Sequence, residues 1–230
     1  VNATERTQAI RHFYTLLDDL EQRVGGRRLL QDCTSKGWPN RGVYFFFEPG
    51  EQRTVTGEGA RVVRVGTHAV SAGSKTSLWN RVSQHRGKVG DGGGNHRGSI
   101  FRSHVGSALL ARDGLTLASW GVTHKTELAD KQAEHDHEQR VSRTLGQFGV
   151  LWLAVDDVPS KDSERAFVER NAIALLSAVN GGADPASETW LGRWAQAPAI
   201  RQSALWNVRH VDDRVDPEFL GVFERLVRAH

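Results

Sequence analysis

Residues 41–86 carry two short apolar runs and then a polar helical stretch, RGVYFFF, RVVRVG and SLWNRVSQHRG, and that order leaves few folds open. Aromatic and β-branched runs of this length, parted by a polar connection holding Pro49, Gly50, Gly57 and Gly59, predict an antiparallel hairpin of residues 42–47 with residues 61–65. Ser77 is placed to cap a helix over residues 77–84, which then dissolves into GKVGDGGGNHRGS, too rich in glycine for regular structure. The hairpin and helix bring Tyr44, Arg64, Arg81 and His85 towards one junction. Those residue types suit phosphodiester chemistry.

Around this centre the periodicity predicts further elements. Apolar residues at helical spacing over residues 4–24 (Ile10, Phe13, Tyr14, Leu17, Leu20, Val24) form an amphipathic helix that stops at Gly25 and Gly26. Helices are also expected over residues 100–110 and, strongly polar, over residues 127–145. FGVLWLAV, residues 148–155, is continuous enough for a central strand. Ser160 or Ser163 opens a helix reaching about Val179 and ended by Asn180, Gly181 and Gly182, and a last amphipathic helix begins near Pro217. Trp190, Trp194 and Trp206 are expected to fill a core rather than stack on bases. The expected class is α/β (α+β): a small, mostly antiparallel three-stranded sheet flanked by helices. It forms a single domain with a helical extension over residues 1–40, a core over residues 41–180 bearing a basic glycine-rich insertion at 86–104, and a second extension over residues 181–230.

With 230 residues and 38% hydrophobic content, the chain can bury a substantial core. No run approaches the roughly 18 apolar residues of a membrane span, and no basic-then-apolar leader opens the chain, so a cytoplasmic protein without membrane contact is expected. The single cysteine, Cys33, allows no internal disulfide and no paired-thiol zinc site, and an inert thiol is expected.

The net charge is only +3, but its distribution is uneven. From Lys75 to Arg112 there are seven Lys or Arg against one acid, Asp91, with His85, His96 and His104 between them. From Asp113 to Glu138 the sign reverses, with Glu127, Asp130, Glu134 and Asp136 against Lys125 and Lys131. That asymmetry predicts a basic groove with an acidic flank. Lys75, Arg86, Lys88, Asn95, His96, Arg97, Ser99 and Arg102 are the candidate DNA-binding residues, suited to phosphate and base-edge contacts. His135, His137 and Glu138 resemble a metal cluster, but residues two apart on a helix diverge by about 200°, and a solvated polar face is expected. GTHAVSAGSKT, residues 66–76, lacks the gap and the Gly-Lys-Ser/Thr junction of a P-loop.

The order hairpin, helix, basic loop, helix, central strand, helix resembles the GIY-YIG nuclease superfamily. Gly42-Val43-Tyr44 meets the family's first motif, and Arg64-Val65-Gly66 partly meets its second, with Arg64 where the family has a tyrosine. The helix arginine and the histidine one turn later fall on Arg81 and His85 in WNRVSQH. The metal-binding glutamate falls on Glu169 in FVERNAIALL, and the asparagine that closes the region falls on Asn180. The matches span residues 41–180. No single motif is specific, and their order carries the resemblance.

The resemblance implies a divalent-metal-dependent endonuclease on DNA, with Tyr44, Arg64, Arg81, His85, Glu169 and Asn180 as catalytic residues. Glu169 is implied as the ligand of Mg²⁺ or Mn²⁺, a hard carboxylate oxygen for an ion that keeps several waters. Arg81 offers a planar fork matched to phosphate oxygens in the transition state. Tyr44 is the implied base or water-orienting group; a phenol near pKa 10 needs a neighbouring cation, which Arg64 or His85 can supply. Asn180 also suits a helix C-cap, and its implied role is compatible with tying down backbone. Extended loops around a small core resemble the restriction-endonuclease branch, which implies a restriction or defence role. One such site cuts one strand at a time, so double-strand cleavage requires a homodimer, sequential nicking or a partner subunit. Two other classes stay open: a catalytically silent DNA-binding module of the same fold, and an NTP-binding protein with Lys75 and Thr76 at a helix N-terminus. Backbone contacts and basic loops serve RNA as well as DNA.

Overall fold

The computed structural model describes residues 3–122 and 128–230. Its centre is a sheet of strands β1 (Arg28–Leu29), β2 (Gly42–Phe47), β3 (Arg64–Gly66) and β4 (Gly149–Ala154) in the order β1-β4-β2-β3, every pairing antiparallel. The expected hairpin is β2 with β3, in the register Tyr44 opposite Gly66 and Phe46 opposite Arg64. The strand from FGVLWLAV lies inside the sheet, between β1 and β2. The sheet has four strands rather than the expected three. β1 is two residues long with exposed side chains, so it carries no alternating apolar signal, and it is held by backbone pairing to Gly149 and Val150.

Both faces of the sheet are covered, which is why β2 and β4 read as unbroken apolar runs. Because side chains alternate along a strand, Val43, Phe45, Leu151 and Leu153 enter one core. It is closed by helices α1 (Ala3–Arg23), α5 (Glu164–Leu176) and α7 (Phe219–Arg228) through Phe13, Leu17, Val168, Phe219 and Phe223. Tyr44, Phe46, Val150 and Trp152 enter the other core with residues of α2 (Leu78–Arg86), α3 (Ile100–Arg112) and α4 (Leu128–Gly146). The expected start of that last helix, Glu127, lies outside the described residues, as does Lys125. Trp190 and Trp206 are buried in the second core as expected, whereas Trp194 is exposed. Ser163, not Ser160, caps α5, its hydroxyl accepting the Ala166 N–H at 3.4 Å. α5 stops at Leu176 and is followed by a 3-10 turn over Ala178–Asn180.

The free edge of β3 is covered by residues from far along the chain. The Trp206 N–H donates to the Val63 carbonyl at 2.7 Å. The Asn207 amide then mimics a strand, accepting from the Val65 N–H at 3.1 Å and donating to the Val65 carbonyl at 2.8 Å. That seam follows the short helix α6 (Pro198–Ser203) and places residues 206–210 beside the hairpin.

The glycine-rich segment is ordered around Arg102, whose side chain is fully buried. The guanidinium donates to the Glu138 carboxylate, to the His85 carbonyl at 3.0 Å and to Ser142 Oγ at 3.0 Å. A Cβ on Gly94 would stand 2.1 Å from its Nη2, so only glycine lets the backbone close over it. The solvated face expected of His135, His137 and Glu138 is therefore wrong for two of the three. Glu138 is buried against Arg102 and His96, and His137 is buried with Nε2 on the Gly106 carbonyl at 3.0 Å. Among the described residues no three His, Cys, Asp or Glu side chains gather as a metal site, and no helix is long and apolar enough to cross a membrane.

Candidate active site

Tyr44 points from β2 into the second core, and its ring lies across Gly66 on the neighbouring strand. A Cβ at Gly66 would stand 2.2 Å from the phenol oxygen, so glycine is required for the tyrosine to lie there. The hydroxyl is 2.8 Å from His85 Nε2, and His85 Nδ1 is 2.8 Å from Ser99 Oγ. Ser99 in turn caps α3, accepting the Arg102 N–H at 3.2 Å. Burial, then the charges of Arg81, Arg64 and Arg102, hold the His85 imidazole well below its ordinary range. It is therefore neutral at pH 7, and its one hydrogen can face either Tyr44 or Ser99.

One residue past Gly66 the Thr67 N–H donates to Glu169 Oε1 at 3.1 Å, while the Thr67 hydroxyl donates to the Gly42 carbonyl at 2.7 Å. Glu169 projects from α5 into a cleft of about 560 Å³ whose wall includes Arg64, Thr67, His68, Arg81 and His210. Burial pushes its carboxyl up from the usual range, against the pull of the Thr67 N–H and the charges of Arg64, His210 and Arg81. Among the described residues the second oxygen, Oε2, takes no hydrogen bond. A crowded carboxylate with a free hard oxygen fits a divalent cation, which offsets the cost of its charge.

Of the remaining predicted residues, Arg64 and Arg81 line this cleft and the others do not. Arg64 stands over the Phe101 ring at 4.6 Å, donates to the Trp206 carbonyl, and keeps a buried Nε with no partner. Arg81 lines the cleft and donates to Gln84 Oε1 at 3.2 Å, while His85, one turn on, turns inward to Tyr44. Asn180 is not part of the cleft wall: its amide donates to the carbonyls of Ala174, Val211 and Asp213, at 3.2, 3.2 and 2.9 Å. It ties the loop after His210 to the end of α5. Tyr44 itself is 1% exposed and lies beneath the wall rather than in it.

The candidate DNA-binding set divides in the same way. Lys75, Lys88 and Asn95 are exposed. His96, Ser99 and Arg102 are buried and hydrogen-bonded within the fold. The Gly121 N–H donates to His96 Nε2 at 3.2 Å, so the ring's hydrogen sits on Nδ1, facing Glu138 at 2.9 Å. Arg97 forks onto Glu134 at 2.7 and 2.9 Å, and Arg86 donates to the Cys33 carbonyl and stands over Trp79 at 4.9 Å. Burial pushes the Cys33 thiol up to about 11, consistent with an inert thiol. Sequence reasoning missed His68, Arg209 and His210. They lie outside the resembling motifs, and only the seam at residues 206–207 brings the last two to the cleft.

A protein-family model described as the GIY-YIG domain matches residues 4–230. The chain belongs to the GIY-YIG nuclease superfamily, and the match runs beyond the motif-bearing core through both extensions. No curated protein and no solved structure matches it.

Proposed function

We propose that the chain is a divalent-metal-dependent endonuclease that hydrolyses phosphodiester bonds in double-stranded DNA, in a restriction or defence role. The observation that carries this reading is the convergence of Glu169, Arg64 and Arg81 on one cleft, one residue away from the Gly66 that seats the Tyr44 hydroxyl. Glu169 would hold Mg²⁺ or Mn²⁺. When bound, such an ion supplies charge neutralisation at the phosphate and at the leaving oxygen. Arg81 and Arg64 place permanent positive charge where the phosphorane gains negative charge. Tyr44, backed by a neutral His85, exchanges a proton at its phenol oxygen, and Ser99 holds the His85 ring through Nδ1. Exposed Lys75 and Lys88 and the cleft-lining Arg209 supply the phosphate-tracking charge around the site. One cleft cuts one strand, so double-strand breaks would come from a homodimer, a partner subunit or two successive nicks.

The test is cleavage of supercoiled plasmid by wild type and by Glu169→Ala, each with Mg²⁺ or EDTA. Wild type with metal should nick, and Glu169→Ala should lose about 100-fold or more in rate, the scale of losing one charge-stabilising group. Cutting by wild type in EDTA, or by Glu169→Ala at the wild-type rate, would sink the one-metal reading. A catalytically silent DNA-binding module is the second reading, favoured by the burial of Tyr44 beneath the cleft wall. It predicts that both proteins bind DNA with steep salt dependence and that neither cuts.

A further inference from the structure

We propose that His68 holds the attacking water through its Nδ1 nitrogen, an inference that rests on the endonuclease reading of the same cleft. His68 is the second residue beyond β3, is 5% exposed, and lines the cleft with Glu169 and Arg81. Its Nε2 lies 3.1 Å from the Asn40 carbonyl, an oxygen that only accepts, so Nε2 carries the hydrogen. Nδ1 then presents a bare lone pair, and it is buried without any partner. A buried, unpaired acceptor costs free energy unless a bound species satisfies it.

The ring is held in place with unusual care. The carbonyl of His68 accepts from Arg165 Nε at 3.1 Å, and that of Ala69 accepts from Nη2 of the same guanidinium at 2.7 Å. Arg165 is itself buried and ion-paired with Asp157. Ala69 has φ +53°, a left-handed conformation that a residue with a Cβ adopts at a cost. Such strain, locked by a double clamp, marks a backbone held for a purpose rather than a relaxed loop. Burial and the charges of Arg165, Arg41 and Arg81 bring the imidazole down to about 4 despite the Asn40 carbonyl, so the ring is neutral at pH 7.

The chemistry of a neutral nitrogen lone pair selects its partner. A phosphodiester bears no proton and cannot donate to Nδ1, and the arginines of the cleft already match its oxygens. Hydrolysis requires one further hydrogen-bond donor at this place, the nucleophilic water. With one of its hydrogens on Nδ1, that water has a fixed orientation as it attacks. On the endonuclease reading the water's proton passes to the Tyr44 phenol oxygen as that phenol passes its own proton to His85 Nε2, so His68 orients the water and does not itself take the proton.

Single-turnover plasmid cleavage in Mg²⁺ with wild type, His68→Ala and His68→Asn decides the matter, beside DNA affinity in Ca²⁺, Mn²⁺ affinity and melting temperature. Asparagine carries an amide oxygen close to where Nδ1 stands but does not reach Asn40. We expect His68→Ala to lose about 100-fold or more in rate and His68→Asn to stay within about tenfold of wild type. DNA and Mn²⁺ affinities should be unchanged in both. Equal rates for wild type and His68→Ala would overturn the inference while leaving the nuclease reading standing. His68→Asn as slow as His68→Ala would also overturn it. A fall in DNA affinity would assign Nδ1 to a base N–H, and a fall in Mn²⁺ affinity would assign it to the ion; either result overturns it. Wild type that cuts nothing strikes the nuclease reading itself and takes this inference with it. Should the variants melt early, ¹⁵N spectra of wild type remain decisive: a protonated Nδ1, or one unmoved by a non-cleavable phosphorothioate DNA in Ca²⁺, would overturn the assignment.

Discussion

Tyr44 and Gly66 form a single feature at the scale of residues, because the phenol occupies the space that a side chain on the opposite strand would fill. Gly66→Ala should therefore destabilise the fold by about 1–3 kcal/mol, since the buried phenol must move, and reduce cleavage by about 100-fold at temperatures where the variant is folded, by pushing the hydroxyl out of line with His85. A Gly66→Ala protein that cuts normally would show that Tyr44 is no part of the chemistry. At this scale the sequence was most legible where chemistry and spacing coincide. Tyr44, Arg81, His85 and Glu169 were expected together from an ordered set of short motifs, and the structure gathers them around one cleft or just beneath it. Asn180 was expected with them, but its amide holds the backbone of a neighbouring loop. His68 was illegible because nothing in one sequence says that a histidine nitrogen will be buried without a partner, and His210, which is paired with Asp213, because only the seam at residues 206–207 brings it to the cleft.

Between elements, the opposite charge blocks before and after residue 113 mislead when read as surfaces. They meet inside the protein, where α3 and the preceding loop pair with α4: Arg102 and His96 with Glu138, Arg97 with Glu134. Burial raises the Glu138 carboxyl most strongly as a single influence, yet the His96 hydrogen bond and the Arg102 charge outweigh it and hold it below its usual range. Charge asymmetry along a chain reports which segments attract each other, and only geometry says whether solvent or an acid takes the positive charge. Arg102→Met would strand a buried carboxylate and should cost about 3–5 kcal/mol in urea unfolding, with His85 loosened as its carbonyl loses a donor. Adding Glu138→Leu should recover much of that loss, since no bare charge then remains. Loss of stability in the double variant equal to or beyond the single one would contradict this account.

Over the whole molecule, a small sheet separates two cores, and segments outside the motif-bearing stretch help to close both. Phe13 of α1 stacks on Phe223 of α7 with ring centres 5.0 Å apart, over Phe45 of the sheet. The periodicity made those helices legible, but not that they share one layer. The other core contains a titrating group: Glu48 accepts from both the Trp190 and Trp206 indoles, at 2.9 and 2.8 Å. Burial pushes its carboxyl up to about 7, with Glu51 adding to the rise and the two indoles and Arg61 opposing it. Above pH 4.5 the unfolded chain gives up this proton while the native state keeps it until about pH 7, so stability falls as pH rises through that window. Melting curves from pH 4 to pH 8 should show Glu48→Gln gaining on wild type towards pH 7, by on the order of 3 kcal/mol. Parallel pH profiles for the two proteins would count against it.

The seam that lays Trp206 and Asn207 along the edge of β3 also sets an order in time. A growing polypeptide acquires its tyrosine, arginines and glutamate first, and the cleft wall at residues 206–210 reaches the hairpin only after all of them have been made. A chain made only as far as Glu169 holds those groups without the wall beside them, so the cleft is completed only with the closing of the fold.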